Sequence, residues 1–450
     1  MATYPTAGTT NRSSIVDTSR HASTLWISRR DNLDDRLEEA RRVPNLEVLQ
    51  FYELEFTHIS AAAVLEAFTC PWKEVQFHQC SGETDVLIAK ILAGDNVSRL
   101  SLFDCEELDR RAIFALRTGL KLNRGLTMLR LEEVDRSWSD EMAQALGDGL
   151  CMNRTLDSLY LNEGGFDREP ESIAALASGL KTPHIALRIL HLTRLGLHDD
   201  SIATIATALM DHPMLEELNL CKNYCRSRGC TAIAAMLLSP STKLIKLDLS
   251  CQEVHHESDS FNVELLTQAI SVNSSLRILH LNENRLDDRA MEISPAIMHS
   301  QLEHLDLRSN QITDNGIRFI ARQLSDERSH HLKKLSLHGN PFGEQGGSLL
   351  LEALQQSNLE LEYLTIPGRM ECGKHIYHWL QLNKGGRKLL RATNAPLSLW
   401  PQVLERVNRL KFWSPGRLNE ACRANVMFSL LHGPAFLDRR RPADNMEGGG

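Results

Sequence analysis

The sequence predicts an α/β solenoid of about twelve repeats, because one short apolar pattern returns at a regular spacing. Leu46 and Leu361 lie 315 residues apart, and eleven intervals between them give a mean period of about 28.6 residues. The pattern L-x-x-L-x-L, with other apolar residues at some positions, begins at Leu46, Trp72, Val97, Leu126, Leu156, Leu187, Leu215, Leu244, Leu276, Leu302, Leu332 and Leu361. Chance does not sustain twelve copies, so a repeat array is expected.

Each copy predicts one strand, one turn and one helix. The pattern alternates along a strand, whereas segments such as 171–180, 199–210 and 315–324 place apolar residues at i, i+3, i+4 and i+7. Asp199 and Asp314 stand in the N-cap neighbourhood of two of these helices. Pro295 should kink or shorten the ninth helix. We therefore expect parallel strands on an inner, concave face and helices on an outer, convex face.

A polar position recurs in the turn after each strand. It is filled by Asn223, Asn284, Asn310 and Asn340, and by Cys80 and Cys105 in earlier copies. An asparagine side chain there can bond turn backbone groups that would otherwise be buried without a partner.

The clearest copies are LEELNLCKNYC from Leu215, LRILHLNENRL from Leu276 and LEHLDLRSNQI from Leu302. They resemble the ribonuclease-inhibitor-like class of leucine-rich repeats, which also occurs in NOD-like receptors and Ran GTPase-activating proteins. The resemblance covers about residues 43–371 and implies a horseshoe that binds proteins, although a fold does not fix a function. The segment after residue 371 is similar to tails of ribonuclease-inhibitor-like proteins from unicellular algae.

The two ends of the chain depart from the repeat. Residues 1–24 are rich in Thr and Ser and are predicted to be disordered. Residues 25–45 are assigned to an N-terminal cap helix, and residues 31–43 are predicted to form the helix itself. The repeats are placed at 46–371, a helical C-terminal cap at 372–437 and a disordered tail at 438–450. The cap should cover the last repeat with Trp379, Leu399, Trp400 and Val403; a second partner-binding module is the alternative.

Composition narrows the functional classes. The net charge of −8 is spread over interspersed charges of both signs, which argues against nucleic acid or a membrane as the main partner. The polar N-terminus lacks a signal-peptide pattern, and the ten cysteines are scattered, so reduced thiols are expected. A cytoplasmic monomer is predicted, with the nucleus as an option because of Arg439, Arg440 and Arg441.

Three constellations suggest chemistry, and the sequence argues against each. Gly368–His375 matches G-x-x-x-x-G-K, but His375 stands where a phosphate-binding loop needs Ser or Thr. Cys221, Cys225, Cys230 and Cys251 suggest zinc. In the repeat register, however, Cys225 takes a buried position, Cys230 begins the helix and only Cys221 should face the concave surface. Concave histidines at 191, 280, 304 and 338 fit a polar groove lining better than a metal site. We expect no enzyme activity, no cofactor and no metal.

The binding surface should consist of the residues that flank the buried leucines of each strand. One predicted patch is aromatic and contains Tyr52, His78 and Phe103, which fall at equivalent positions of consecutive repeats. The other is polar. The full set of candidate partner-binding residues is Tyr52, His78, Phe103, Arg130, Tyr160, His191, Asn219, Asp248, His280, Asp306 and Arg308. A protein-binding scaffold or regulatory adaptor is the leading interpretation, and a GTPase-activating protein of the Ran type is the alternative.

Overall fold

The computed structural model describes residues 23–43, 46–67, 72–105, 108, 110–133, 140–164, 170–252, 263–293, 295–298, 300–326, 331–368, 370–388 and 405–406. The chain falls into two units. The first comprises Met1–Leu197 with His212–Leu215, and the second comprises His198–Asp211 with Glu216–Gly450. Within the described residues, no helix is long and apolar enough to cross a membrane.

The first unit repeats strand, turn and helix. Its strands are β1 (Ser23–Ser28), β2 (Leu46–Tyr52), β3 (Glu55–Phe56), β4 (Glu74–His78), β5 (Ser81–Gly82), β6 (Arg99–Phe103), β7 (Met128–Glu132), β8 (Ser158–Asn162) and β9 (Ile189–Thr193). Its helices are α1 (Leu33–Arg42), α2 (His58–Ala67), α3 (Thr84–Ala93), α4 (Arg110–Leu122), α5 (Asp140–Met152) and α6 (Pro170–Leu180). The strands form a parallel sheet in the order β1-β2-β4-β6-β7-β8-β9, while β3 pairs with β5.

The second unit continues the same alternation. Its helices are α7 (Asp199–Ala208), α8 (Ser227–Leu238), α9 (Val263–Val272), α10 (Asp288–Ile293), α11 (Pro295–Met298), α12 (Asp314–Leu324), α13 (Glu344–Gln356) and α14 (Gly373–Lys384). Its parallel strands are β10 (Glu217–Asn219), β11 (Lys246–Asp248), β12 (Ile278–His280), β13 (His304–Asp306), β14 (Lys334–Ser336) and β15 (Tyr363–Thr365). The predicted leucine-rich-repeat solenoid is confirmed. Pro295 begins α11 directly after α10 ends, so the predicted interruption is also confirmed.

The pattern leucines form the core of each unit. In the first unit, Leu100, Leu129 and Leu159 pair in register along consecutive strands and are fully buried. Burial of one such side chain contributes about 1.5–3 kcal/mol, so stacking neighbours supply most of a repeat's stability. Close helix packing adds to this core. A Cβ on Gly147 of α5 would lie 2.2 Å from the carbonyl oxygen of Ala175 in α6, so only glycine fits there.

The recurring asparagines bond the turns as predicted. Asn310 lies in the turn after β13; its amide donates to the carbonyl oxygens of Leu281 and Leu307, at 3.1 and 2.9 Å. Its oxygen accepts from the backbone N–H groups of Asn284 and Leu286, at 2.9 and 3.0 Å. One buried side chain thus satisfies backbone groups of two consecutive repeats.

The cysteines at the same position serve the same turn more weakly. The thiol of Cys80 lies 3.5 Å from the carbonyl oxygen of His78 and 3.7 Å from that of Phe51. The thiol of Cys105 lies 3.6 Å from the carbonyl oxygens of Phe77 and Phe103. A thiol is a poorer donor than an amide, so these turns gain less from their side chains.

Aspartates near helix starts cap the next helix rather than their own. The N-cap residue of α12 is Thr313, and Asp314 is the first helical residue. One oxygen of Asp314 accepts from the N–H groups of Gly343 and Gly346, at 2.9 and 2.7 Å, which lie at the start of α13. Asp199 likewise accepts from residues at the start of α8. These carboxylates join consecutive repeats and favour the positive end of the next helix dipole.

The N-terminal region contains a strand that the sequence did not predict. The helix expected at 31–43 is confirmed as α1, but Ser23–Ser28, assigned partly to a disordered segment and partly to a cap helix, forms β1 beside β2. The remaining residues of the segment predicted to be disordered, 1–22, lie outside the described residues. Ser28 N donates to Asp31 at 2.7 Å and Arg36 donates to the carbonyl oxygen of Trp26 at 2.6 Å, so the outer edge of β1 is partly blocked.

The described C-terminal residues begin with a helix. α14 follows β15 as each helix follows its strand, and it buries Ile376, Leu380 and Leu382. Arg387 donates to the carbonyl oxygens of Leu354 and Gln355 at 2.6 Å each, near the end of α13. The tail residues Leu399, Trp400 and Val403 lie outside the described residues.

Candidate protein-interaction surface

The open face is defined here as the sheet face formed by the half-exposed strand residues that alternate with the buried leucines. In β4 the burial alternates residue by residue, so Gln76 and His78 face outward while Val75 and Phe77 enter the core. Parallel register then aligns equivalent outward residues of neighbouring strands. Tyr52, His78 and Phe103 therefore share one column of the open face of the first unit.

The three side chains of this column stack on one another. The ring centroids of Tyr52 and His78 lie 4.3 Å apart, and those of His78 and Phe103 lie 4.4 Å apart. The two rings of each pair are nearly parallel, with 7° between their planes. The contiguous ladder predicted from the sequence is confirmed as a geometric feature.

The stack continues through an arginine. The guanidinium of Arg130 lies 5.7 Å from the Phe103 ring centroid and 4.4 Å from that of Tyr160. The Tyr160 ring meets His191 edge to face at 4.6 Å. Arg130 thus joins the column of Tyr52, His78 and Phe103 to the neighbouring column, which contains Arg130 itself, Tyr160 and His191, by cation–π contacts. We call this continuous set the aromatic row; its members are Tyr52, His78, Phe103, Arg130, Tyr160 and His191.

Hydrogen bonds fix the start of the aromatic row. The hydroxyl of Tyr52 donates to Gln50 Oε1 at 3.1 Å, and Gln50 Nε2 donates to Gln76 Oε1 at 2.7 Å. The ring nitrogen Nε2 of His78 lies 3.1 Å from the same Gln76 oxygen. These bonds restrain the rings, and side chains that are already restrained lose less entropy on binding.

One further aromatic residue of this face, Trp26, lies outside the pattern that predicts the other members. Trp26 of β1 pairs in register with Gln50 and is 43% exposed. It therefore extends by one strand the column that contains Gln50, Gln76 and Arg130. The six residues STLWIS alternate as a strand does, and this was the available signal. The twelvefold pattern does not include this strand because it begins only at Leu46.

Burial keeps His78 neutral. Desolvation lowers the pKa of His78 to about 4, so the ring carries no charge between its neighbours at neutral pH. An imidazole in water takes its proton near pH 6.5. The unfolded chain therefore binds this proton at a higher pH than the folded chain does.

We expect acid to weaken the first unit through His78. As the pH falls from about 6.5 to about 4, the unfolded state gains a proton that the folded state refuses, and stability is lost across that window. His78→Phe should keep the stack and remove this titration. Thermal melts at pH 7 and pH 4 should show a smaller fall in Tm for His78→Phe than for the natural chain. An equal fall would contradict the assignment of this acid sensitivity to His78. His212 is also buried with its pKa lowered to about 4, but it is present in both proteins and so does not affect the comparison.

Carboxylates border the aromatic row. Asp104, Glu133 and Glu163 follow consecutive strands and occupy turns with positive φ, at 47°, 52° and 56°. A hydrogen bond between Glu133 and Glu163 raises the pKa of Glu133 to about 7, with burial and nearby carboxylates adding to the shift. The two side chains therefore share a proton near neutral pH. Arg194 offsets part of the charge through an ion pair with Glu163 at 3.0 Å.

The predicted polar patch lies in the second unit. Asp248 accepts from the Ser250 hydroxyl at 2.5 Å, and its other oxygen lies 3.2 Å from His280 Nδ1. Asn219, one strand earlier, accepts at 2.8 Å from the backbone N–H of Cys221. These residues come together on neighbouring strands, as the register predicts.

Asp306 does not have the exposure that the sequence analysis expected. Its side chain lies beneath Arg308, whose Nε is 2.9 and 2.8 Å from the two carboxylate oxygens, and Asp306 is only 3% exposed. Arg308 rather than Asp306 presents its charge to solvent. The expectation for Asp306 was wrong because strand alternation gives a side chain's direction and not what covers it.

The cysteines of the second unit form two pairs. Cys225 and Cys230 are buried, with their sulfurs 3.9 Å apart. Cys221 and Cys251 are both half-exposed. A hydrogen bond from Cys251 lowers the pKa of Cys221 to about 7. Within the described part of the chain, no group of three or more His, Cys, Asp or Glu side chains is arranged to hold a metal ion.

The segment resembling a phosphate loop forms the turn before α14. Gly368 adopts a φ of 59°, Cys372 is buried, and the backbone N–H of Glu371 donates to Glu344 at 2.6 Å. These contacts tie the turn to the start of α13. Lys374 lies exposed on the first turn of α14.

Comparison with known proteins agrees with this architecture. Residues 272–292 and 300–321 match the family model described as Leucine Rich repeat. The ribonuclease inhibitor of Sus scrofa is 28% identical over 316 residues, covering 62% of this chain and 66% of the inhibitor. The chain contains leucine-rich repeats and is similar to ribonuclease inhibitors.

Receptor-type relatives share the same repeats. NACHT, LRR and PYD domains-containing protein 12 of Homo sapiens is 26% identical over 318 residues, covering 69% of this chain. NACHT, LRR and PYD domains-containing protein 13 of Homo sapiens is 30% identical over 203 residues, covering 44% of this chain. The matches span 29% and 19% of these two proteins, so the repeats of this chain correspond to a part of each.

Proposed function

We propose that this leucine-rich-repeat protein is a non-enzymatic scaffold or regulatory adaptor that binds a protein partner on the open face of its first unit. The observation that carries this proposal is the aromatic row, in which six side chains from consecutive repeats touch in sequence. Single exposed aromatic residues are ordinary on protein surfaces, whereas a row of aromatic rings and one guanidinium group in contact forms a continuous surface.

The physical properties of the row suit protein recognition. Tyrosine and arginine are enriched among residues that dominate interface energies, because they bury large areas at little entropy cost. The rings stack on one another and the Gln50–Gln76 bond supports them, so binding would order few groups.

The charge beside the row indicates the kind of partner. Asp104 and the proton-sharing Glu133–Glu163 pair give this edge a negative charge that Arg194 only partly offsets, which favours a partner surface that carries Lys or Arg. The relatives support protein binding by analogy alone: a ribonuclease inhibitor, by its name, inhibits a ribonuclease. The partner of this chain is defined here only by its chemistry, a protein with a basic surface.

Affinity capture with matched variants tests the proposal. The natural chain, a Tyr52→Ala/Phe103→Ala double variant and a Tyr363→Ala control should each be used as bait in native lysate. Tyr363 is an equally aromatic strand residue, 51% exposed, but it belongs to the second unit and lies outside the row. We expect a protein that the natural chain and Tyr363→Ala retain and the double variant loses. Retention by all three baits would place binding elsewhere.

GTPase activation, the alternative, is tested by a hydrolysis assay with a panel of small GTPases. The scaffold proposal expects no acceleration of GTP hydrolysis and no nucleotide hydrolysis by the chain itself. Nucleotide hydrolysis that disappears in Lys374→Ala would revive the phosphate-loop interpretation of Gly368–His375. Residence in the cytoplasm or the nucleus belongs to the same proposal, and imaging of a fluorescent fusion protein tests it.

A further inference from the structure

Two half-exposed cysteines meet just beyond neighbouring strands of the second unit. The parallel register of β10 and β11 continues past both strands, because the backbone N–H of Lys222 donates to the carbonyl oxygen of Ser250 at 3.0 Å. Cys221 therefore lies opposite Ser250, and Cys251 is the residue that follows Ser250. We call these two cysteines the Cys221–Cys251 pair.

The backbone spacing of this pair suits a disulfide bond. Neighbouring strands lie about 4.8 Å apart and one residue advances the chain by about 3.3 Å, so the two Cα atoms are roughly 6 Å apart. The Cα atoms of disulfide-bonded cysteines lie about 4.4–6.8 Å apart. The side chains already meet, since the Cys251 thiol forms a hydrogen bond with Cys221. A bond between the two sulfur atoms would therefore need little movement of the backbone.

The surroundings give the two thiols different roles. The hydrogen bond from Cys251 lowers the pKa of Cys221 to about 7, against the effect of burial. Among the charged neighbours, Lys222 favours the Cys221 thiolate and Asp248 opposes it. The same hydrogen bond raises the pKa of Cys251, so Cys251 keeps its proton while Cys221 is charged. At neutral pH, Cys221 is therefore the nucleophile and Cys251 the proton donor.

The next repeat holds Cys251 in position. The backbone N–H of Cys251 donates to the carbonyl oxygen of Asn282 at 2.8 Å, and Asn282 Nδ2 donates to the Cys251 sulfur at 4.0 Å. The carboxylate of Glu283 adds to the rise in the pKa of Cys251. Residues 253–262, which follow in the sequence, lie outside the described residues. Contacts to both backbone and side chain thus keep Cys251 beside Cys221.

A second pair of cysteines shows that closeness alone is not enough for reaction with an oxidant in solution. The sulfur atoms of Cys225 and Cys230 lie 3.9 Å apart, but both side chains are buried. The hydrogen bond from Cys230, together with burial, raises the pKa of Cys225. Oxidants react with thiolates that they can reach, so the Cys225–Cys230 pair should stay reduced and serves as an internal control.

We propose that the Cys221–Cys251 pair is a modification site that hydrogen peroxide oxidises to a disulfide. The Cys221 thiolate attacks one peroxide oxygen, the O–O bond breaks, and hydroxide leaves and takes a proton from solvent, so Cys221 becomes a sulfenic acid. The Cys251 sulfur then attacks the Cys221 sulfur and the S–O bond breaks. The departing hydroxide takes the Cys251 proton and leaves as water. The two thiols lose two electrons, which the peroxide accepts, and a dithiol reductant reverses the change.

Peptide mapping of the full-length protein after brief peroxide treatment tests the site, with circular dichroism to verify that the chain stays folded. We expect a disulfide between Cys221 and Cys251 that dithiothreitol removes, and no disulfide between Cys225 and Cys230. Cys151→Ser, which removes a half-exposed cysteine of the first unit, should form the same disulfide as the natural chain. A Cys225–Cys230 disulfide that forms as readily, or a Cys221–Cys251 pair that stays reduced, would overturn the proposal.

Trapping of the sulfenic acid with dimedone tests the two roles. Cys251→Ser keeps a hydroxyl beside Cys221 but cannot close the disulfide, so dimedone should label Cys221 strongly in this variant and weakly in the natural chain. Cys221→Ser should lose the label at this site, because Cys251 on its own is not the reacting thiol. Absence of the Cys221 label from Cys251→Ser, or equal labelling of Cys251 in Cys221→Ser, would contradict the assignment.

Discussion

A chain that ends at residue 371 should aggregate or melt far below the full-length protein. The deletion removes α14, which buries Ile376, Leu380 and Leu382 behind α13. Each such side chain contributes about 1.5–3 kcal/mol, so together they approach the whole stability of a typical domain, about 5–15 kcal/mol. The deletion would also expose the apolar side of α13 to solvent.

Polar groups near the end of α13 would be left unpaired as well. Arg387 bonds the carbonyl oxygens of Leu354 and Gln355, and Asn383 donates to those of Asn358 and Leu361 at 3.1 and 2.9 Å. A terminal repeat without such partners exposes both apolar and backbone groups.

A matched chain ending at residue 388 tests the role of α14. It retains α14 and Arg387, and should therefore recover most of the melting temperature lost by the chain that ends at 371. Light scattering and thermal melts of the two truncated chains and the full-length protein provide the comparison. If the chain ending at 371 remains soluble with an unchanged melting temperature, α14 and the following residues form an independent module and the cap prediction is wrong.

Replacement of Asn310 by alanine should destabilise the second unit by at least about 3 kcal/mol. The substitution leaves the buried N–H groups of Asn284 and Leu286 without their acceptor and the carbonyl of Leu281 without this donor. Each unsatisfied buried group costs about 1–3 kcal/mol, and the missing side chain adds a small cavity.

Asn282→Ala provides the control for that substitution. Asn282 lies two residues before Asn284, the turn asparagine of the preceding repeat. Its side chain is half-exposed and donates to the sulfur of Cys251 at 4.0 Å. It should cost under about 1 kcal/mol. Urea unfolding followed by circular dichroism measures both variants. Equal losses would mean that the asparagine network contributes little to stability.

Much of this fold was predictable because one pattern determines many features at once. A period near 29 residues fixes strand, turn and helix together, and the alternation within each strand fixes which residues face outward. Asn310 and Pro295 were correctly interpreted because each acts through local backbone chemistry: a turn that needs bonding partners and a helix that cannot continue.

The remaining features depend on neighbours that the pattern does not identify. β1 contains no complete copy of the repeat, so pairing with β2, rather than its own sequence, defines it. Arg130 joins two columns because its long side chain reaches diagonally, which strand register alone does not predict. Asp306 is buried and bonded to Arg308, and Cys251 bonds Cys221 from the turn after the next strand; the strand pattern predicts neither contact.

The central claim is that the aromatic row is the partner-binding surface, and titration calorimetry tests it most directly. With the captured partner, Tyr52→Ala and Phe103→Ala should each weaken binding by about 1–3 kcal/mol, roughly 5- to 150-fold in Kd. The Tyr363→Ala control should bind as the natural chain does, and no variant should lose more than a few degrees in Tm. Unchanged affinity for both row variants would contradict the account and shift attention to the Asp248–His280 patch.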